Sequence, residues 1–231
     1  MKLKNNIIVL LAVMLFLNSC STDRAVTTTP KNYKYLALGD SYTIGESVCA
    51  TCRFPFQLKD SISKYLNPND TFQVKIIAVT GWTTTNLKSA LVADVTGNDY
   101  DLVTLLIGVN NQYQHKPFSL YEQEFPELVI SAIQKAKGDK NNVIVVSIPD
   151  YAFTPFGNGN AVVSAEIDQY NNFAENYCNA NNITFVNITD ITRLGLAQPE
   201  FVASDGLHPS ATAYTKFVER ILPKAKSKIA D

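Results

Sequence analysis

The chain has 231 residues, and 46% of them are hydrophobic, which allows one domain with a substantial core. Its formal net charge is −1 and its sequence pI is about 6.1. We therefore expect no nucleic-acid partner, because proteins that bind nucleic acids usually carry a basic face or stripe.

The N-terminus predicts export from the cytoplasm. Two lysines precede an apolar run at residues 7–17, which is too short to span a membrane comfortably and suits the h-region of a signal peptide. The run is followed by Asn-Ser and then Cys20, an arrangement that resembles a bacterial lipobox. We predict that residues 1–19 are a lipoprotein signal peptide and that a lipid on Cys20 anchors the protein to a membrane, on the periplasmic or surface side of the cell envelope. The alternative is an ordinary signal peptide with a chance cysteine.

The composition that follows predicts a tether and then one domain. Residues 20–32 are rich in threonine and favour a flexible tether, and residues 33–231 form the predicted domain. Cys49 and Cys52 are a Cys-x-x-Cys pair in a predicted loop, which favours a disulfide in an oxidising compartment over a redox-active pair. A zinc site would need a second ligand pair at suitable spacing, and none follows. Cys178 lies on the apolar stripe of a predicted helix, so we expect a buried free thiol.

From residue 33 onward, short apolar runs alternate with segments whose apolar residues recur at helical spacing. The runs predict strands at residues 35–38, 72–79, 102–107, 143–148 and 183–188. The periodic segments predict helices at residues 53–66, 84–93, 119–137, 164–180 and 211–229. Such alternation predicts an α/β domain whose parallel sheet is covered by helices on both faces.

The third of these helices carries two signals about where it begins. Ser119 and Glu122 have the spacing of a capping box, which places the first turn at Ser119. Pro126 lies inside the same segment and implies a kink or a later start, because proline removes a helical hydrogen bond.

Polar blocks stand at or near the ends of the predicted strands. They are Gly39-Asp40-Ser41-Tyr42, Gly81, Gly108-Val109-Asn110-Asn111 and Asp205-Gly206-Leu207-His208-Pro209. Ligands of open α/β sheets bind outside the carboxyl ends of the strands, so we expect these blocks to meet at one edge of the sheet. Taken singly, each block could be an ordinary turn or helix cap, and we interpret Asp40 as structural.

In this order, the four blocks resemble the SGNH (GDSL) hydrolase family over about residues 33–225. The residues that match the serine, glycine, asparagine and Asp-x-x-His pair of the family are Ser41, Gly81, Asn110, Asp205 and His208. Tyr42 stands where the family name has leucine, and Asn111 stands where aspartate is frequent. The resemblance implies a three-layer α/β/α sandwich of about five parallel strands in the flavodoxin-like order 2-1-3-4-5.

The chemistry of these residues supports the same interpretation. A serine hydroxyl is a weak nucleophile until a base accepts its proton, and the chain has two histidines. Of these, His208 has a carboxylate three residues earlier, and Asp205 can accept a bond from Nδ1–H and leave Nε2 facing Ser41. The backbone N–H groups of Ser41 and Gly81 and the side chain of Asn110 would form the oxyanion hole. We therefore predict a catalytic triad of Ser41, Asp205 and His208 that hydrolyses carboxylic esters through an acyl-serine intermediate, without a cofactor or metal.

The sequence favours a short-acyl or acetyl ester of carbohydrate as the substrate, either a small molecule or a polysaccharide. A lipase or lysophospholipase of the same family, or a non-catalytic surface lipoprotein that binds glycan, are the alternatives. The chain has no Gly-x-Ser-x-Gly elbow, which argues against an α/β-hydrolase fold. His115 follows the proposed oxyanion loop; we favour an exposed or locally hydrogen-bonded histidine there, with substrate contact as the alternative. We expect the pocket walls to come from loops that carry Cys49, Cys52, Trp82, Tyr113 and residues 153–156.

Overall fold

Five parallel strands form the centre of the protein, seen in a computed structural model that describes residues 29–229. The strands are β1 (Asn32–Gly39), β2 (Thr71–Ala78), β3 (Leu102–Leu106), β4 (Val143–Val146) and β5 (Thr184–Val186). Their order in the sheet is β2-β1-β3-β4-β5, so the predicted α/β fold and strand order are confirmed. The predicted signal peptide and lipidation site lie outside the described residues. Within residues 29–229, no helix is both long and apolar enough to cross a bilayer.

Helices cover both faces of this sheet. They are α1 (Ser41–Ile44), α2 (Phe54–Ser63), α3 (Thr84–Ala93), α4 (Val109–Tyr113), α5 (Phe118–Lys135), α6 (Ala161–Asn181), α7 (Thr189–Thr192) and α8 (Ala211–Ile229). Helix α2 packs against α8, whereas α5 packs against both α3 and α6. The two groups are the outer layers of a three-layer α/β/α sandwich.

The interior strands explain why this sheet is stable. Every residue of β3 and β4 is buried, as expected for parallel strands with helices on both faces. The one polar side chain of β3, Thr104, is hydrogen-bonded to the buried hydroxyl of Tyr35 in β1 at 2.9 Å. Pairing of this kind avoids the cost of an unsatisfied polar group in the core.

Helix α5 differs from its prediction at two points. It begins at Phe118 with Pro117 as its N-cap, and the Leu120 N–H donates to the Pro117 carbonyl at 2.9 Å, so the predicted Ser119 cap is wrong. The helix also continues through Pro126 rather than starting after it. Buried side chains on both sides of the proline, Phe125 among them, pack into the core and offset the lost hydrogen bond.

The register of the sheet aligns the loops that carry the polar blocks. Gly39, the last residue of β1, pairs with Ala78 on one side and with Leu106 on the other. The chain therefore leaves β1, β2 and β3 at the same level. Helices α1 and α4 begin within three residues of these strand ends, and their single turns were too short to be recognised from hydrophobic periodicity.

Candidate active site

Ser41 is the first residue of α1, which follows β1 after one intervening residue. Asp40 caps this helix, and its Oδ1 accepts a hydrogen bond from the Tyr42 N–H at 3.0 Å. Only glycine fits at position 39, because a Cβ there would lie 2.1 Å from Thr43 Oγ1 and 2.4 Å from the Leu106 carbonyl oxygen. This close packing lets the chain turn directly from the strand into the helix and places Ser41 at the sheet edge.

A cavity of about 200 Å³ opens above the carboxyl ends of the strands. Ser41, Gly81, Asn110 and His208 all contribute to its wall, so the structure brings four of the five sequence-predicted site residues to one place. Its remaining lining residues are Tyr42, Thr80, Val109, Tyr113, Tyr151, Phe156 and Leu207. Asp205 does not line the cavity and is reached through His208.

His208 is held from behind by Asp205. The distance from His208 Nδ1 to Asp205 Oδ2 is 2.6 Å, and Asp205 Oδ1 accepts the backbone N–H groups of Leu207 and His208 at 2.9 and 3.0 Å. Burial opposes ionisation of Asp205, but hydrogen bonds from Ser47, His208 and the two N–H groups outweigh it and hold the carboxyl pKa well below its usual range. The imidazole therefore faces a permanently charged acceptor at neutral pH.

His208 also contributes to the wall of the cavity that holds Ser41. The ring of Tyr42 packs against the imidazole with centroids 5.0 Å apart, and this contact limits the orientations of the histidine ring. In the described part of the chain the Ser41 hydroxyl makes no hydrogen bond, to His208 or to any other group. Hydrogen bonds between a nucleophile and its base are often long without substrate and shorten in the reacting complex.

The loop after β2 is clamped by side chains from the turn and helix after β3. Gly81 has a φ of +81°, a left-handed conformation that glycine adopts without strain. The Gln114 side-chain amide donates to the Gly81 carbonyl at 2.8 Å, and the Asn110 amide donates to the Trp82 carbonyl at 3.1 Å. These bonds fix the two peptide groups that follow Gly81, Gly81–Trp82 and Trp82–Thr83, and the bond to Trp82 uses one of the two N–H groups of the Asn110 amide.

Asn111, which departs from the usual family residue, has a clear structural role. Its side chain is fully buried, accepts the Thr84 N–H at 2.9 Å and donates to the Thr84 hydroxyl at 2.7 Å. The Thr84 hydroxyl in turn donates to Glu124 of α5 at 2.5 Å. An amide suits this position better than a carboxylate, because it must both accept and donate within the core.

Asp40 is a buried carboxyl group with a raised pKa. Its side chain is fully buried and its Oδ2 has no hydrogen-bond partner in the described part of the chain. Burial raises the pKa of this carboxyl to about 7, against smaller opposing effects of the Tyr42 N–H and of the nearby Asn110 amide, which lies outside hydrogen-bonding geometry. A carboxyl that changes charge near neutrality therefore lies directly beside Ser41.

Three aromatic rings, from Tyr113, Tyr151 and Phe156, form one wall of the cavity. Each ring contacts the other two, with centroid distances of 6.0 to 6.2 Å. The sequence predicted two of them, Tyr113 and Phe156, and missed Tyr151. The other positions that we expected in the wall do not line this cavity; they are Cys49, Cys52, Trp82 and residues 153–155. Phe153 instead packs beneath the guanidinium of Arg193, 6.0 Å from its ring centroid.

The loop that contains Cys49 and Cys52 contacts the site from outside. The two sulfurs are joined in a disulfide. Earlier in this loop, the Ser47 hydroxyl donates to Asp205 Oδ2 at 2.7 Å, and Glu46 accepts a hydrogen bond from the hydroxyl of Thr80, next to Gly81. The loop thus touches both the Asp–His pair and the proposed oxyanion loop. Sequence reasoning missed Ser47, because no motif marks a serine 158 positions away from its partner.

Two further sequence predictions concern residues outside the cavity. Cys178 is a free, buried thiol, as expected, and burial raises its pKa to about 12. His115 is exposed and does not line the cavity that holds Ser41. Among residues 29–229, no group of three or more histidine, cysteine, aspartate and glutamate side chains has the arrangement of a metal site.

A parallel sheet with a serine, an oxyanion-type loop and an Asp–His pair at its carboxyl edge is the arrangement of an SGNH-type hydrolase. The family described as "GDSL-like Lipase/Acylhydrolase family" matches residues 37–216, and the chain belongs to this family. Members of the family are carboxylic ester hydrolases. No curated protein sequence matches this chain significantly.

Solved structures share the fold at low sequence identity. A variant of an acetyl xylan esterase from Geobacillus stearothermophilus is 20% identical with a TM-score of 0.65, over 85% of this chain and 95% of its own. A lipase/acylhydrolase from Enterococcus faecalis is 20% identical with a TM-score of 0.67, and the match covers 85% of this chain and 96% of its own. TesA is 17% identical with a TM-score of 0.64, and the match covers 84% of this chain and 99% of TesA. At these identities the likeness extends to the fold and not to the substrate.

Proposed function

We propose that this protein is a serine esterase that hydrolyses carboxylic esters through an acyl-serine intermediate, with Ser41 as the nucleophile. One observation carries the proposal: Ser41, Gly81, Asn110 and His208 line a single cavity, and His208 is bonded on its far side to Asp205. This grouping supports the roles of nucleophile, oxyanion donors and base that acyl transfer requires.

The proposed reaction has two halves. In the first, Ser41 Oγ attacks the ester carbonyl while His208 Nε2 accepts the hydroxyl proton, and the imidazolium then gives that proton to the departing alcohol. In the second, a water molecule loses a proton to His208 and attacks the acyl-serine, and the imidazolium then returns that proton to Ser41 Oγ as the bond to the acyl group breaks and the acid leaves. Asp205 holds the proton on Nδ1 throughout and stabilises the imidazolium, which a carboxylate with a strongly lowered pKa can do at any physiological pH.

The negative charge that develops on the carbonyl oxygen is stabilised by three donors. They are the backbone N–H groups of Ser41 and Gly81 and the Asn110 amide N–H that Trp82 does not use. A single donor of this kind is typically worth about 3 kcal/mol in the transition state. The Gln114 and Asn110 bonds to neighbouring carbonyls supply the preorganisation that such donors need.

Cavity size supports a short acyl group. The space beside Ser41 is about 200 Å³, below the roughly 300 to 1,000 Å³ typical of pockets for drug-sized ligands. An acetyl group fits such a space, whereas a long acyl chain would extend beyond it. One fold relative is an acetyl xylan esterase, which is consistent with an acetylated carbohydrate as the substrate.

A lipase or lysophospholipase is the second candidate, since another fold relative is a lipase/acylhydrolase. Rates on a series of p-nitrophenyl esters from acetate to octanoate separate the two. We expect kcat/KM to be highest for acetate or propionate, and a preference for octanoate would favour the lipase.

Covalent labelling tests the proposed chemistry, because a fluorophosphonate reacts with an activated serine. Mass spectrometry of the labelled protein should find the adduct on the peptide that contains Ser41, and the Ser41→Ala variant should not be labelled. A wild-type protein that resists the reagent would instead support the alternative of a non-catalytic glycan-binding lipoprotein.

We also propose that the enzyme acts outside the cytoplasm as a lipoprotein held by Cys20. The basic, apolar and lipobox-like segments in residues 1–20 support this. Metabolic labelling with an alkyne fatty acid should mark the full-length chain and not its Cys20→Ala variant, and equal labelling of both would contradict the anchor.

A further inference from the structure

A second cavity lies beside the one that holds Ser41. It measures about 300 Å³, and it shares Tyr113, Tyr151 and Phe156 with the first. The wall of three aromatic residues is therefore common to both cavities. Its other lining residues are Gln112, His115, Gly157, Asn160, Val162, Val163 and Glu166. Two of the shared residues, Tyr113 and Phe156, are 50% and 53% accessible to solvent, so a ligand that occupies both spaces can contact their rings.

A fixed carboxylate is the main polar group of this second cavity. Glu166 Oε2 accepts the side-chain amide of Gln112 at 2.6 Å, and Gln112 Oε1 accepts the Tyr151 hydroxyl at 2.8 Å. Gln112 is 4% exposed, so the chain Tyr151–Gln112–Glu166 is anchored in the protein interior. In the described part of the chain Glu166 has no ion pair, and its Oε1 accepts no hydrogen bond. This oxygen is an available acceptor whose position the protein has already set.

Donor groups complete the rim. Asn160 caps α6 through its side-chain oxygen, which accepts the N–H groups of Val162 and Val163 at 3.0 and 3.3 Å, so its amide nitrogen is directed away from the helix. His115 is exposed and has a left-handed φ of +52° in the turn after α4. Aromatic faces combined with a carboxylate acceptor and amide or imidazole donors suit a ligand with apolar faces and hydroxyl edges.

We infer that the second cavity binds a neutral sugar unit in the alcohol part of the substrate, while its neighbour presents the acyl group to Ser41. The inference rests on the proposed esterase function. An acyl chain in this cavity would remove Glu166 Oε1 from water without giving this oxygen a hydrogen-bond donor, which is costly. An anionic headgroup would be repelled by the same carboxylate. A sugar donates hydroxyl hydrogens to Glu166 Oε1 and lays its C–H face on Phe156 or Tyr113.

The binding mode predicts a preference for esters with more than one sugar unit. Three substrates test this preference and the esterase activity separately: p-nitrophenyl acetate, an acetylated methyl xyloside and an acetylated xylotriose. We expect the wild-type protein to hydrolyse all three, with kcat/KM at least about tenfold higher for the acetylated xylotriose than for the acetylated methyl xyloside, mainly through KM. The Glu166→Ala variant should lose most of this preference.

The matched control is Glu175→Ala, since Glu175 is an exposed glutamate on the same helix and does not line either cavity. It should keep the wild-type ratio. A wild-type protein that is active on p-nitrophenyl acetate but shows no preference for the longer sugar would contradict sugar binding in the second cavity and leave the esterase proposal unaffected. A protein that hydrolyses none of the three would overturn the esterase proposal itself. If Glu166→Ala does not fold, the wild-type ratio alone decides the matter.

Discussion

The Ser47 hydroxyl donates a hydrogen bond of 2.7 Å to Asp205 Oδ2, the same oxygen that His208 Nδ1 approaches at 2.6 Å. Ser47 adopts a left-handed φ of +62°, which is uncommon for a residue with a side chain. The aspartate of the proposed triad is therefore held by a residue that belongs to none of the family blocks. We treat Ser47 as a positioning residue for the Asp–His pair.

Replacing Ser47 should slow the reaction without preventing it. Ser47→Ala removes one donor from a charged carboxylate, a bond worth about 1.5 kcal/mol or somewhat less at an exposed site, so we expect kcat on p-nitrophenyl acetate to fall roughly fivefold to tenfold with little change in KM. Ser63→Ala is the control, because Ser63 is exposed on α2 and bonds only within that helix. An unchanged kcat for Ser47→Ala would show that Asp205 does not need this donor.

The disulfide should act on catalysis through Ser47. Opening the Cys49–Cys52 bond loosens the loop that presents Ser47 to Asp205, so the double variant Cys49→Ser/Cys52→Ser should also lose kcat severalfold. On a Ser47→Ala background the same opening should cost little more, because the contact it supports is already gone. The kcat values of the wild type, the double cysteine variant, Ser47→Ala and the triple variant measure this coupling between the disulfide and Ser47. If removal of the disulfide lowered kcat by the same factor with and without Ser47, the disulfide would not act on the Asp–His pair through Ser47.

Gln114 should matter because it restrains the loop at Gly81. Gln114→Ala removes the bond to the Gly81 carbonyl, and a less restrained Gly81 backbone places the Gly81 N–H, which lies in the preceding peptide group, less accurately at the oxyanion. We expect kcat to fall about twofold to fivefold while KM changes little, since an exposed neutral bond is worth about 0.5 to 1 kcal/mol. Gln134→Ala on the exposed side of α5 should behave as the wild type. A rise in KM with normal kcat would mean that Gln114 binds substrate instead.

Asp40 should destabilise the protein as the pH rises. Its carboxyl has a pKa of about 7 in the folded chain against a usual value of 3.8, so the folded state binds more protons than the unfolded state between these pH values. The free energy of unfolding then decreases as the pH increases through this window and levels off above it.

Asp40→Asn keeps the acceptor for the Tyr42 N–H but removes the charge. Relative to the wild type, we expect it to be more stable by roughly 1 to 4 kcal/mol at about pH 8, with a smaller difference toward pH 5. Urea denaturation at several pH values measures this difference. A stability difference that does not vary with pH would show that Asp40 does not titrate in this range.

Motifs at strand ends were the part of the site that the sequence could predict. Three of the predicted residues follow strands closely, namely Ser41, Gly81 and Asn110, and the parallel sheet aligns such positions at one edge. The fourth, His208, lies in a short and conspicuous motif. Hydrophobic runs alternating with helical patterns were sufficient to predict the five strands, whereas the strand order followed from the family resemblance alone.

Contacts between distant loops could not be predicted in this way. Ser47 reaches Asp205 only because α2 and α8 pack together and bring the loop before α2 beside the loop before α8. Tyr151 joins the aromatic wall through a one-turn 3₁₀ helix after β4, which has no periodic signal. Trp82 was expected in the pocket as a large aromatic residue, yet it is partly buried against the core.

The most direct test of the account is the rate of the Ser41→Ala variant on p-nitrophenyl acetate. We predict that kcat/KM falls at least about a thousandfold relative to the wild type, because the remaining oxyanion donors and His208 have no nucleophile to activate. Circular dichroism should show that the variant is folded, since serine to alanine removes one oxygen from a cavity wall. A folded Ser41→Ala protein that hydrolyses the ester at the wild-type rate would contradict the assignment of Ser41 as the nucleophile.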